Sequence, residues 1–116
     1  KPVWGICAGA ILLAEKVENP TQKSFSILPY TAIRNGYGRQ IDSEIITIDG
    51  YDVSYIRAPI LKDPAAGIEI LASRGDDPVW VRQGKNMATT FHPELTLDYP
   101  SPMHRIFVEI VKNHHA

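Results

Sequence analysis

The chain has 116 residues, with 12 Lys+Arg against 13 Asp+Glu and a formal net charge of −1. That near-balance excludes the basic surplus expected of a nucleic-acid binder and leaves no single-sign block to act as a tail. Hydrophobic residues at 44% and charged residues at 22% fit one ordinary globular domain over residues 1–116. The single cysteine excludes an internal disulfide and fits the reducing conditions of the cytoplasm.

Residues 3–6 are a buried-type strand, and the chain reaches them from Lys1-Pro2 with no signal peptide. Such a start resembles the interior of a domain, so a fragment of a longer polypeptide is expected. Residues 8 to about 17 read as a helix with Ile11, Leu12 and Leu13 available to the core, closed by Pro20. The apolar run over residues 8–14 is far too short for a membrane span and is interrupted by Gly9.

Residues 22–26 are polar loop, Ile27-Leu28-Pro29 is a short apolar anchor, and residues 30–34 alternate as a strand. Asn35-Gly36-Tyr37-Gly38 is turn chemistry. Residues 43–48 and 51–57 are β-rich runs around Asp49-Gly50, the signature of a type I′ hairpin. Ala58-Pro59-Ile60 then leaves that sheet. Strands follow at 68–72, 79–82 and 87–91, with a polar turn over 73–78 and another at Gly84-Lys85-Asn86. A loop runs over 92–101. Residues 102–112 form a helix whose Met103, Ile106, Phe107, Ile110 and Val111 share one face.

Chemistry concentrates at the two ends. Gly5-Ile6-Cys7-Ala8-Gly9 stands between a strand and a helix, the layout of a nucleophile elbow. There the nucleophile adopts a strained backbone conformation that exposes its side chain. Glycines two positions either side give the turn room, since a β-carbon would collide with it. The helix N-terminus favours thiolate over thiol. By itself the pattern is equally that of a buried cysteine beside two loop glycines.

The second constellation is Phe91-His92-Pro93-Glu94. A cysteine nucleophile needs a base to move its proton and a third group to orient that base. Pro93 biases His92 towards extended geometry, so His92 and Glu94 project to one side. They lie just past a strand end, where α/β sheets place active sites. His104 is open between supporting that site and lying on the surface. One cysteine supplies no zinc-ligand spacing, and no glycine loop with a lysine opens a phosphate site, so no metal or cofactor is expected. Two more polar stretches, residues 34–43 and Tyr55-Ile56-Arg57-Ala58-Pro59, are in themselves consistent with a solvated turn and a sheet-edge arginine.

Taken together, these residues resemble class I glutamine amidotransferases, which share the Gly-x-Cys-x-Gly elbow and the Phe-His-Pro-Glu ending. The Arg34-Asn35-x-Tyr37-Gly38-Arg39-Gln40-x-Asp42-Ser43 segment is similar to the glutaminase subunits of pyridoxal 5′-phosphate synthases, a narrower family. The resemblance runs from Pro2 to about Val111. It implies an α/β fold, flavodoxin-like, with a mixed sheet flanked by helices in three layers. It implies Cys7 as nucleophile, His92 as acid/base and Glu94 as orienting acid. Arg34, Ile56 and Arg57 contact L-glutamine, and the Ala8 N–H supplies one oxyanion donor. It further implies a (β/α)₈-barrel synthase partner that takes the ammonia. In this family, strands, helices and a Pro-Gly-Gly loop with the second oxyanion donor precede the elbow, and these 116 residues contain no such loop. The same triad also fits another class I glutaminase, a γ-glutamyl hydrolase, or an inactive interaction fragment.

Overall fold

The computed structural model describes residues 1–18, 21–34, 43–48, 51–56, 59–93 and 101–113. The expected helix stop at Pro20, the asparagine-, glycine- and arginine-rich segment 35–42, the expected turn at Asp49-Gly50, Arg57, Ala58 and residues 94–100 lie outside the described residues.

The site rests on a four-stranded sheet built from β1 (Val3–Ile6), β7 (Glu69–Arg74), β8 (Asp77–Gln83) and β9 (Asn86–Thr89), in the order β1-β9-β8-β7. The first and last strands of this set, β1 and β9, pair in parallel, with Val3 opposite Asn86 and Ile6 opposite Thr89. The rest is antiparallel. Side chains alternate along these strands, so each face collects its own core. On one face lie Ala88 and Val81, packed with Ala10 and Leu13 of α1 (Ala8–Leu13). On the other lie Trp4, Met87 and Trp80, packed with Met103 and Ile110 of α2 (Pro102–Asn113). A mixed sheet with helices on both faces is the expected α/β architecture.

The first helix departs from expectation. It stops at Leu13, and Ala14–Glu18 form a strand, β2, instead of two more helical turns. Ala14 and Val17 are both buried, a spacing that imitates a helix. The cause is an irregularity in the pairing of β2 with β3 (Leu28–Ile33) between Ala14 and Lys16, which returns residues three apart to one side. Strand pairing has overridden the helical propensity of Ala14, Glu15 and Lys16. Leu12, left on the outer side of so short a helix, is 42% exposed rather than in the core.

The apolar anchor at Leu28-Pro29 is the start of β3, not a separate feature. After Pro59, the chain does not simply leave a sheet. Residues Ile60–Lys62 form β6, antiparallel to β3, and complete a three-stranded sheet in the order β2-β3-β6. β4 (Ser43–Ile48) and β5 (Tyr51–Ile56) pair with Ile48 opposite Tyr51, the register of a two-residue hairpin. The polar turn placed at 73–78 is tighter than expected. Both strands run on to Arg74 and Asp77, and Gly75 takes the turn at φ 60°. On α2, Met103 and Ile110 are buried and Ile106 and Phe107 pack partly, but Val111 is 48% exposed and is not core. Among the described residues no helix is long and apolar enough to cross a membrane.

Candidate active site

Cys7 occupies the single residue between β1 and α1 at φ 53° and ψ −101°. That is outside the favoured regions for an L-residue and costs on the order of 1–3 kcal/mol. Two backbone bonds hold it there. The Cys7 N–H donates to the Thr89 carbonyl at 2.8 Å, and the Cys7 carbonyl accepts from the Ile11 N–H at 3.2 Å. The first continues the β1–β9 ladder one residue past the strand, and the second starts the helix. The chain is thus pulled from strand into helix within one residue, which is what an elbow requires.

The room for that turn comes from one glycine, not two. Gly5 faces α1, and a β-carbon on it would lie 2.6 Å from the Gly9 carbonyl carbon and 2.8 Å from Leu13 Cδ1. No backbone atom can give way to that extent without moving the helix. A β-carbon on Gly9 would meet nothing within 4 Å. The requirement expected of both positions therefore falls on Gly5 alone among the described residues.

Ala8 opens α1 and is exposed. Its N–H belongs to the first turn, whose donors have no partner inside the helix. With six residues, α1 carries little macrodipole. Its electrostatic contribution at Cys7 resides in those free N–H groups. The middle of α1 is tied to β3 by Tyr30, a fully buried residue whose hydroxyl donates to the Ala10 carbonyl. Burial pushes the Tyr30 phenol well above its ordinary range.

His92 arrives from the neighbouring strand. Because β1 and β9 are parallel and Ile6 is opposite Thr89, both chains leave the sheet at the same edge. Cys7 is one residue past β1 and His92 three past β9. Phe91 and Pro93, on either side of His92, are buried, while His92 itself is half-buried. The anchored neighbours hold the ring at the sheet edge with a solvent-facing side.

The structure thus brings Cys7, Ala8 and His92 to one edge of the four-stranded sheet. It sets the other described candidates on other sheets. Arg34 follows β3, with its backbone N–H on the Glu18 carbonyl at 2.9 Å and its guanidinium donating to Gln22 Oε1 at 2.7 Å. Ile56 is the last residue of β5, opposite Ser43. Glu94 and Arg57 lie outside the described residues. No group of three or more potential metal ligands occurs among the described residues.

Sequence reading missed two contributors, Thr89 and Trp4, and left His104 open. Thr89 is fully buried and accepts a hydrogen bond from Trp4 Nε1 at 3.1 Å. Trp4 in turn packs edge-on against His104, with ring centroids 4.9 Å apart, and against Phe107 at 5.7 Å. His104 itself closes a capping box on α2. Its N–H donates to Ser101 Oγ at 3.1 Å while its Nδ1 accepts from the Ser101 N–H at 3.3 Å. Serine before Pro102, with a hydrogen-bonding side chain three residues on, is a helix-start signal in sequence. The role of Thr89 has no comparable sequence signal.

Comparison with known proteins shows the family and the fold. The chain matches the SNO glutamine amidotransferase family over residues 1–113. It is 48% identical to the pyridoxal 5′-phosphate synthase subunit PdxT of Koribacter versatilis over 97% of this chain and 61% of that protein. It is 43% identical to the PdxT subunit of Thermotoga maritima, over 96% of this chain and 62% of that protein. A crystal structure of a glutamine amidotransferase superimposes with a TM-score of 0.84 at 40% identity, over 96% of this chain and 61% of the other. The chain spans about three fifths of the length of the relatives it matches.

Proposed function

The chain belongs to the SNO glutamine amidotransferase family, and from that premise we propose that it carries the nucleophile and base of a glutaminase that releases ammonia from L-glutamine. The observation that supports this best is the elbow geometry of Cys7, φ 53° and ψ −101°, at the same sheet edge as His92. A packing cysteine has no need of a strained backbone, and an exposed nucleophile does.

In this reading the Cys7 thiolate attacks the side-chain amide carbon of glutamine. The carbonyl oxygen becomes an oxyanion that the Ala8 N–H helps to hold. His92 delivers a proton to the departing nitrogen, which leaves as ammonia, and a γ-glutamyl thioester remains on Cys7. His92 then takes a proton from water, whose oxygen attacks the thioester. Glutamate leaves and the thiolate returns. Glu94, two residues beyond His92, fixes the imidazole tautomer. Arg34, Ile56 and Arg57 contact the bound glutamine in this reading. The reaction needs no cofactor and no metal.

The names of the relatives support a place in pyridoxal 5′-phosphate synthesis. There the chain would serve as the glutaminase part, in the cytoplasm, with a (β/α)₈-barrel synthase subunit receiving the ammonia. Residues 1–116 would then form part of one glutaminase domain. The test is glutamate and ammonia release from glutamine by the polypeptide carrying this chain, with and without its synthase subunit. The expected result is activity that rises with the subunit and is lost in Cys7→Ala. Wild-type activity in Cys7→Ala would overturn the reading.

A further inference from the structure

Thr89 is the last residue of β9 and is fully buried. Its carbonyl accepts the Cys7 N–H at 2.8 Å. Its hydroxyl accepts from Trp4 Nε1 at 3.1 Å and lies 3.3 Å from the Phe91 carbonyl. The directions of these bonds are not free. An indole N–H only donates, so the Thr89 oxygen must accept from Trp4. The single hydroxyl proton is then available to the Phe91 carbonyl. Phe91 is the residue before His92. One side chain therefore bends the chain after β9 toward His92, while the same residue's carbonyl holds the elbow that carries Cys7.

The donor side of this arrangement is also held. The Trp4 ring is set by His104 and Phe107 from α2, so the indole N–H is aimed by packing as well as by its bond. An aromatic donor with so little freedom loses little entropy when the bond forms. Thr89 is also opposite Ile6 of β1 and Trp80 of β8, which fixes its backbone on both sides. Its neighbours Trp4, Ile6 and Trp80 all belong to the sheet.

We propose that Thr89 is the positioning residue that sets the separation and aim of Cys7 and His92. It touches no substrate and acts through the Cys7 N–H on one side and the Phe91 carbonyl on the other. This inference rests on reading Cys7 and His92 as nucleophile and base. Small displacements of such a pair are costly, with a misplacement of about 1 Å worth ~10²-fold in rate.

The test uses the full polypeptide carrying this chain, with its synthase subunit, in wild-type, Thr89→Val, Thr89→Ser and Trp4→Phe forms. Two quantities are read. The first is kcat and KM for glutamine. The second is the pH profile of Cys7 alkylation by iodoacetamide, followed on the Cys7 peptide by mass spectrometry with His92→Gln as reference. Thr89→Val should lower kcat by ~10²-fold with KM nearly unchanged. Thr89→Ser, which keeps the hydroxyl, should keep most of the rate. The alkylation profile of Thr89→Val should move towards that of His92→Gln. Trp4→Phe leaves Thr89 in place and removes the donor while keeping an aromatic ring, and it should shift the profile in the same direction. It is the form to read if Thr89→Val does not fold. A Thr89→Val or Trp4→Phe protein with wild-type kcat and a wild-type alkylation profile would overturn the proposal. Absence of glutaminase activity in wild type would instead overturn the functional reading. The alkylation comparison would then still decide whether Thr89 couples Cys7 to His92.

Discussion

The Tyr30 hydroxyl donates to the Ala10 carbonyl, tying β3 to the middle of the six-residue elbow helix. Both residues are buried. Tyr30→Phe keeps the ring and removes the donor. The expected loss is ~0.5–1.5 kcal/mol of stability, read by chemical denaturation. The same phenol gives a pH signature. Its folded value is raised by burial above the ordinary 10.0, so the folded state holds its proton where the unfolded state releases it. Its contribution is complete below pH 10 and is lost as the pH rises above it, by at most ~1.4 kcal/mol per pH unit. The alkaline fall in stability should be shallower in Tyr30→Phe than in wild type.

The two glycines flanking Cys7 should respond oppositely. Gly5→Ala places a methyl 2.6 Å from the Gly9 backbone. The helix must shift away from β1, at ~1–3 kcal/mol or more, and the elbow shifts with it. Gly9→Ala meets open space at a helical position and should be neutral or stabilising by up to ~1 kcal/mol. Thermal melts of the two variants check the contrast. Equal destabilisation by both would contradict the geometry at Gly5.

The placing of Cys7 and His92 at one end of neighbouring strands was legible in the sequence for a physical reason. A nucleophile elbow needs a small residue two positions before the nucleophile, and Gly5 is that residue. A base needs a strand end, and His92 follows β9 by three residues. Both constraints act over short stretches of chain and leave marks in it. The end of α1 left no such mark. Ala14 and Val17 bury a helical spacing because of a pairing irregularity with β3, a partner more than ten residues away. Val111 stands at the margin of the helical stripe of α2 and is 48% exposed, while Met103 and Ile110 near its centre are buried. Thr89 was invisible for the same reason. Its hydroxyl is met by Trp4, 85 residues earlier in the chain, and no local pattern records that contact.

Strain at Cys7 predicts a trade between stability and chemistry. At φ 53° and ψ −101° any residue with a β-carbon is strained, whereas glycine populates positive φ readily. Cys7→Gly should therefore raise the unfolding free energy by ~1 kcal/mol while removing the nucleophile altogether. Cys7→Ala keeps the strain and should match wild type in stability within ~0.5 kcal/mol. Differential scanning calorimetry of the three forms separates the two effects.

The α2 cap is a second stability element that reaches the site indirectly. Ser101 accepts the His104 N–H and its own N–H meets His104 Nδ1. Ser101→Ala removes the cap and should cost ~1 kcal/mol, whereas Ser101→Gly should cost a few tenths. Because His104 also packs on Trp4 at 4.9 Å, Ser101→Ala should increase the solvent accessibility of the indole, read as a red shift of tryptophan fluorescence.

The central claim is that Cys7 attacks glutamine, and its most direct measurement is acid-quenched mass spectrometry of the Cys7 peptide during turnover. With glutamine and the synthase subunit present, the peptide should carry a γ-glutamyl adduct that disappears when glutamine is exhausted and is absent in Cys7→Ala. Glutamate release at the wild-type rate by Cys7→Ala, with no adduct on the Cys7 peptide of the wild type, would contradict the account.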